Sequence, residues 1–157
     1  MPKILSMRVK IQDLSRLRLD DTTIAEINAR ARAEYPHEAC GLLIGREAGG
    51  RTLVERVASC RNLAVDRLGD RYLLDPDDFR AADEAARREG LDIVGIWHTH
   101  PDHPARPSET DLEAAWPVYS YLIVSVTSAG VTERRAWRLE DERFIEQEIE
   151  GHETWQM

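Results

Sequence analysis

Leu91-Asp92-Ile93-Val94-Gly95-Ile96-Trp97-His98-Thr99-His100 is the stretch on which the reading of this chain turns. Its β-branched and aromatic content predicts a strand, buried on both faces until it reaches the histidines. Side chains at i and i+2 share one face of a strand, so both imidazoles can reach one ion. By the same alternation, Val94 and Ile96 lie behind them and form a dry floor. Two histidines at a strand end are also common as plain surface residues, so the pair needs a partner from elsewhere.

A catalytic zinc site takes three protein ligands and leaves a fourth position for solvent. The third ligand should come from a different element, and Asp111 is the best choice. It sits in the first turn of a short helix opened by Ser108-Glu109-Thr110-Asp111, where it can fold back over the strand end. Taken alone, those four residues equally fit a capping box, in which Ser108 and Asp111 satisfy helix N-terminal amides.

Outward from this centre, the chain alternates strands and helices. Leu17-Arg18-Leu19 reads as a short strand. Asp20 or Asp21 then caps a helix whose apolar face is Ile24, Ile27 and Ala31, and Pro36 stops it. Gly41 to Gly45 is a short buried strand, with a Gly49-Gly50 hairpin into Leu53–Val57. Tyr72-Leu73-Leu74 is expected to form a further strand. Asp75-Pro76 starts a helix striped by Phe79, Ala82 and Ala86 and ended by Gly90. Tyr119 to Thr127 and Val131 to Leu139 form a strand pair. The charged tail from Asp141 fits a strand or a helix equally well.

The 157 residues suit one domain with its own core. Twenty-nine acidic against 21 basic residues give a net charge of −8, which argues against nucleic-acid binding. No apolar run is long enough to span a bilayer, and the N-terminus lacks the apolar stretch of a secretory signal. The expected location is the cytoplasm, with Cys40 and Cys60 as thiols packed as small hydrophobes.

Hydrolysis by metal-activated water also needs a base to carry a proton to the leaving group. Glu38 lies between Pro36 and the buried strand from Gly41, where a carboxylate would enter a cleft. Many other glutamates compete, and residue reading alone does not select it.

His98-Thr99-His100-Pro101, followed by Pro107-Ser108-Glu109-Thr110-Asp111, resembles the signature of JAMM (MPN-plus) zinc metalloproteases. Pro36-His37-Glu38-Ala39-Cys40-Gly41 resembles the family segment that supplies the catalytic glutamate. Cys60-Arg61-Asn62-Leu63-Ala64 and Tyr72-Leu73-Leu74-Asp75-Pro76 look like the prokaryotic branch. The resemblance implies Zn²⁺ on His98, His100 and Asp111, Glu38 as base, and Ser108 as a donor to the oxyanion. Thr99 stands where serine is frequent, and its side chain should face away from the ligands.

The resemblance also implies a cytidine-deaminase-like three-layer α/β/α fold with a curved mixed sheet. It covers residues 14–140, with 1–13 and 141–157 as terminal extensions of the same domain. It implies hydrolysis of an amide bond at the Gly-Gly tail of a ubiquitin-like sulfur-carrier protein, with no nucleic acid or membrane as partner. A homodimer is left open. The rival readings are a peptidase on cell-wall or phage-related peptides and a non-catalytic MPN-type scaffold. His37, His103 and His152 are read as solvated, and Trp97 and Trp116 as core or cleft wall.

Overall fold

The computed structural model describes residues 14–64 and 72–151. The extension 1–13, residues 152–157 and, with them, His152 lie outside the described residues.

Seven strands and three helices follow one another in the order β1 (Arg16–Leu19), α1 (Asp21–Glu34), β2 (Cys40–Ala48), β3 (Arg51–Cys60), α2 (Pro76–Arg88), β4 (Asp92–Pro101), α3 (Glu109–Ala114), β5 (Ser120–Thr127), β6 (Gly130–Glu140) and β7 (Arg143–Gly151). The sheet closes on itself in the order β1-β3-β2-β4-β5-β6-β7. Pairing is mixed. β4 runs parallel to β5, β1 runs parallel to both β3 and β7, and the remaining neighbours are antiparallel. The mixed α/β class expected from the sequence is therefore present, with the curvature carried to closure. The charged tail resolves as β7, and its pairing with β1 completes the ring.

The helix starts follow their caps. The Asp20 side chain accepts from Thr23 N at 2.8 Å, and Asp75 accepts from Asp77 N at 2.9 Å with Pro76 in the first turn. The helices pack on opposite faces of the sheet. Ile27 and Ala31 of α1 join Leu43, Trp97, Leu122 and Val124 in the larger apolar cluster. Phe79 and Ala82 of α2 join Leu42, Ile96 and Tyr121 in the second.

Gly41 and Gly95 stand where a close approach leaves no room for a side chain. A Cβ on Gly41 would meet the Ala58 carbonyl oxygen at 2.1 Å and the Trp97 indole at 2.4 Å. One on Gly95 would meet the Ser120 carbonyl oxygen at 2.4 Å. Beside Gly95 the ladder slips: Leu43 pairs with Gly95, but Ile44 pairs with Ile93. Val94 is the extra residue of this bulge, and it turns into the cluster around Trp97. Strict alternation therefore fails at this point. Ile93, not Val94, joins Ile96 on the face that carries the histidines.

Tyr72-Leu73-Leu74 does not form a strand. The segment makes an isolated bridge, Leu74 to Asn62, and the Tyr72 ring stacks on His98 instead, with centroids 4.4 Å apart.

Candidate metal centre

β4 delivers His98 and His100 to one face, and α3 brings Asp111 over the strand end. All three are buried. His98 Nε2 lies 3.2 Å from Asp111 Oδ1, His100 Nε2 lies 3.1 Å from Asp111 Oδ2, and the two Nε2 atoms are 3.3 Å apart. Donors held at about 2.0–2.1 Å from a tetrahedral zinc would stand about 3.3 Å from one another. The two histidine nitrogens stand at that spacing, each beside its own oxygen of Asp111, and one donor atom from each of the three residues lies within 4.8 Å of the others, close enough to share one ion.

The chemistry of the donors points the same way. The Pro104 carbonyl can only accept, so His100 Nδ1, 2.8 Å away, carries the hydrogen. In neutral His100 the Nε2 lone pair then faces the Asp111 carboxylate and the second imidazole. Lone pairs converging at this distance repel unless a cation or a proton lies among them. Metal-binding histidines are commonly oriented through their second nitrogen in this way. His98 Nδ1 is buried and has no hydrogen-bond partner among the described residues. The Tyr72 ring on its face restrains that imidazole instead.

The charges respond accordingly. Burial lowers the pKa of His98, against the pull of Asp111. Burial also works against a charge on His100, but Asp111, the Pro104 carbonyl and the nearby Glu38 outweigh it and raise its pKa. Burial opposes ionisation of Asp111 too. Its bonds with His100, His98 and Ser108 N prevail and hold it well below the usual carboxylate range.

Asp111 is placed by its own helix. Ser108 Oγ accepts from Asp111 N at 3.0 Å, and Ser108 N donates to Asp111 Oδ2 at 2.8 Å. The capping box is thus formed, and it presents the carboxylate to both imidazoles. Capping and metal binding are compatible uses of the same side chain.

Glu38 is 4% exposed and lines a cleft of about 300 Å³ together with His100 and Ser108. Its carbonyl accepts from Asn62 Nδ2 at 3.0 Å. The Thr99 side chain does face away from the two histidines, as expected, and its hydroxyl accepts from Ala39 N. Sequence reasoning missed three supporting groups: Tyr72, Asn62 and the Pro104 carbonyl. Asn62 and Tyr72 lie in segments already singled out by the family resemblance. Nothing marked the Pro104 carbonyl.

His37 and His103 are exposed, as read. Cys40 is buried opposite Cys60, and burial above all pushes its thiol up to about 12, so both the packing and the protonation are those of an inert side chain. Trp97 is core, 1% exposed, but Trp116 is 64% exposed and not a core residue. The helix before it has only six residues and is capped at Ala115, which leaves Trp116 beyond its packed turn. No helix of the described residues is long and apolar enough to cross a membrane.

The family model for prokaryotic homologues of the JAB domain matches residues 21–140. A desampylase of Haloferax volcanii is 36% identical over 106 residues, covering 67% of this chain and 74% of the relative. A CysO-cysteine peptidase of Mycobacterium tuberculosis is 32% identical over 126 residues, covering 77% and 81%. The solution structure of protein DSY2949 from Desulfitobacterium hafniense superposes with a TM-score of 0.75 at 35% identity, covering 86% of this chain and 92% of that one.

Proposed function

The chain belongs to the family of prokaryotic JAB-domain homologues, and from that premise we propose that it is a zinc-dependent hydrolase acting at the C-terminal Gly-Gly tail of a ubiquitin-like sulfur-carrier protein. The observation that carries the metal is the 3.1–3.3 Å convergence of His98, His100 and Asp111. The names of the relatives, a desampylase and a CysO-cysteine peptidase, support the substrate class.

When bound, zinc supplies an acidified water and polarises the scissile carbonyl. His98, His100 and Asp111 would hold the ion. The Glu38 carboxylate accepts a proton from the attacking water and returns it to the leaving nitrogen. Ser108 Oγ already accepts from Asp111 N, which leaves its hydroxyl hydrogen available to the developing oxyanion. Apolar Ile96 and Ile93 behind the site limit water to the open side.

The same reading takes residues 14–140 as the hydrolase domain, with the ends as extensions of it, and places the enzyme in the cytoplasm. It also carries the three-layer α/β/α description, which α1 and α2 on opposite faces of the sheet support.

The test is intact-mass analysis of ubiquitin-like sulfur carriers extended beyond Gly-Gly, after incubation with zinc-loaded protein. The extension should be lost, chelator should stop the loss, and added zinc should restore it. Glu38→Gln should slow it by roughly 10²–10⁴-fold while zinc stays bound. Extended carriers left intact by zinc-loaded protein would contradict the proposal.

A further inference from the structure

The cleft beside the metal centre holds a cation that the proposed reaction does not use. Arg106 lines it together with Glu38, His100, Ser108 and Thr110. Its guanidinium makes no hydrogen bond or ion pair within 4 Å among the described residues. Its field does reach Glu146, a carboxylate held below its ordinary range first by a bond from Arg135. In a chain of net charge −8, a cation at the mouth of a cleft with no partner among the described residues calls for an explanation.

The backbone that carries Arg106 is fixed from both ends. Ala105 is fully buried. Its N–H donates to Glu133 Oε1 at 3.2 Å, and its carbonyl accepts from Trp137 Nε1 at 3.2 Å. Pro107 follows with its φ fixed by the ring. The anchored turn fixes where the exposed arginine leaves the backbone beside the cleft, and its planar fork matches a carboxylate.

The proposed reaction would bring a carboxylate into the same cleft. Glu38 returns a proton to the leaving nitrogen, so that nitrogen lies in the same cleft. In an α-linked amino acid, the carboxyl carbon is only about 2.5 Å from the nitrogen across one Cα. In an isopeptide to a lysine side chain, that region holds uncharged methylenes.

Resting on the hydrolase reading above, we propose that Arg106 binds the α-carboxylate of the leaving group, so that the cleft selects a carrier tail ending in one α-linked amino acid over an isopeptide conjugate. The site is then a carboxylate-reading subsite on the leaving-group side, and its ligand class is a free amino acid joined through its amine.

The experiment compares one ubiquitin-like sulfur carrier ending in Gly-Gly-Ala as the free acid and as the C-terminal carboxamide, each cleaved by zinc-loaded protein. Wild type should prefer the acid in kcat/KM by roughly tenfold to a hundredfold, the range of one charge-assisted bond. Arg106→Gln should bring the acid-to-amide ratio close to one, and Arg106→Lys should restore part of it. Equal rates on both substrates in wild type, or a ratio unchanged in Arg106→Gln, would overturn the assignment. Cleavage of neither substrate would contradict the hydrolase reading instead. The subsite is then judged by titrating the tripeptide Gly-Gly-Ala and its amide into zinc-loaded wild type and Arg106→Gln. Tighter binding of the acid that disappears in the variant supports it, and no preference in wild type overturns it.

Discussion

Thr99 grips Ala39 on both sides of the residue: Ala39 N donates to the Thr99 hydroxyl at 2.8 Å, and Thr99 N donates to the Ala39 carbonyl at 3.0 Å. Thr99 sits between the two histidines, and Ala39 follows Glu38. The pair therefore locks the segment that carries Glu38 to the strand that carries His98 and His100. Serine would offer the same hydroxyl.

Thr99→Val keeps the shape but leaves Ala39 N–H without its side-chain acceptor in a buried setting. A loss of about 1–3 kcal/mol in stability is expected, measured by urea unfolding, with a fall in turnover as Glu38 loosens. Thr99→Ser should retain most of both. A Thr99→Val protein as stable and active as wild type would remove the clamp from the account.

Asp111→Ala removes the one carboxylate from the proposed ligand set and half of the capping box. Zinc content after dialysis should fall well below one per chain, and the start of α3 should weaken by about 1 kcal/mol. Asp111→Asn preserves much of the cap but not the charge, so it should lose zinc while keeping most of the stability. If Asp111→Asn keeps full zinc occupancy, the side chain is a cap and not a ligand.

Acid should release the metal, because a protonated imidazole cannot bind it. The pKa of His100 is raised, so protons begin to compete at milder acidity than for an ordinary imidazole. That of His98 is lowered by burial, so it yields later. Asp111 is held ionised throughout that window. For folding of the metal-free protein the two histidines act in opposite directions. The His100 contribution is present below the unfolded pKa and lost as pH rises through the folded one, whereas that of His98 is lost as pH falls. Zinc affinity, followed by competition with a chromogenic chelator, is therefore the better reporter. It should decline steadily from neutral pH downward, and an affinity flat to pH 4 would contradict the ligand set.

Much of the fold was legible because its signals are local. The caps at Asp20 and Asp75, the hairpin glycines and the run into His98 all follow from backbone chemistry within a few residues. What escaped depends on contacts between distant segments. The bulge at Val94 arises where β4 meets β2, and no local pattern announces it. Tyr72 has the β-propensity of a strand residue, yet its ring is placed by His98. Closure of the sheet depends on β7 finding β1, a pairing that spans nearly the whole described chain. At the site, the i, i+2 spacing placed both histidines on one face, but Glu38 was selected by resemblance and not by physics.

X-ray absorption at the zinc edge of the purified protein tests the central claim most directly. One zinc per chain is expected, with two imidazole nitrogens and oxygen donors at about 2.0–2.2 Å and no sulfur neighbour. A spectrum dominated by zinc–sulfur scattering near 2.3 Å, or a protein that takes up no zinc, would contradict it.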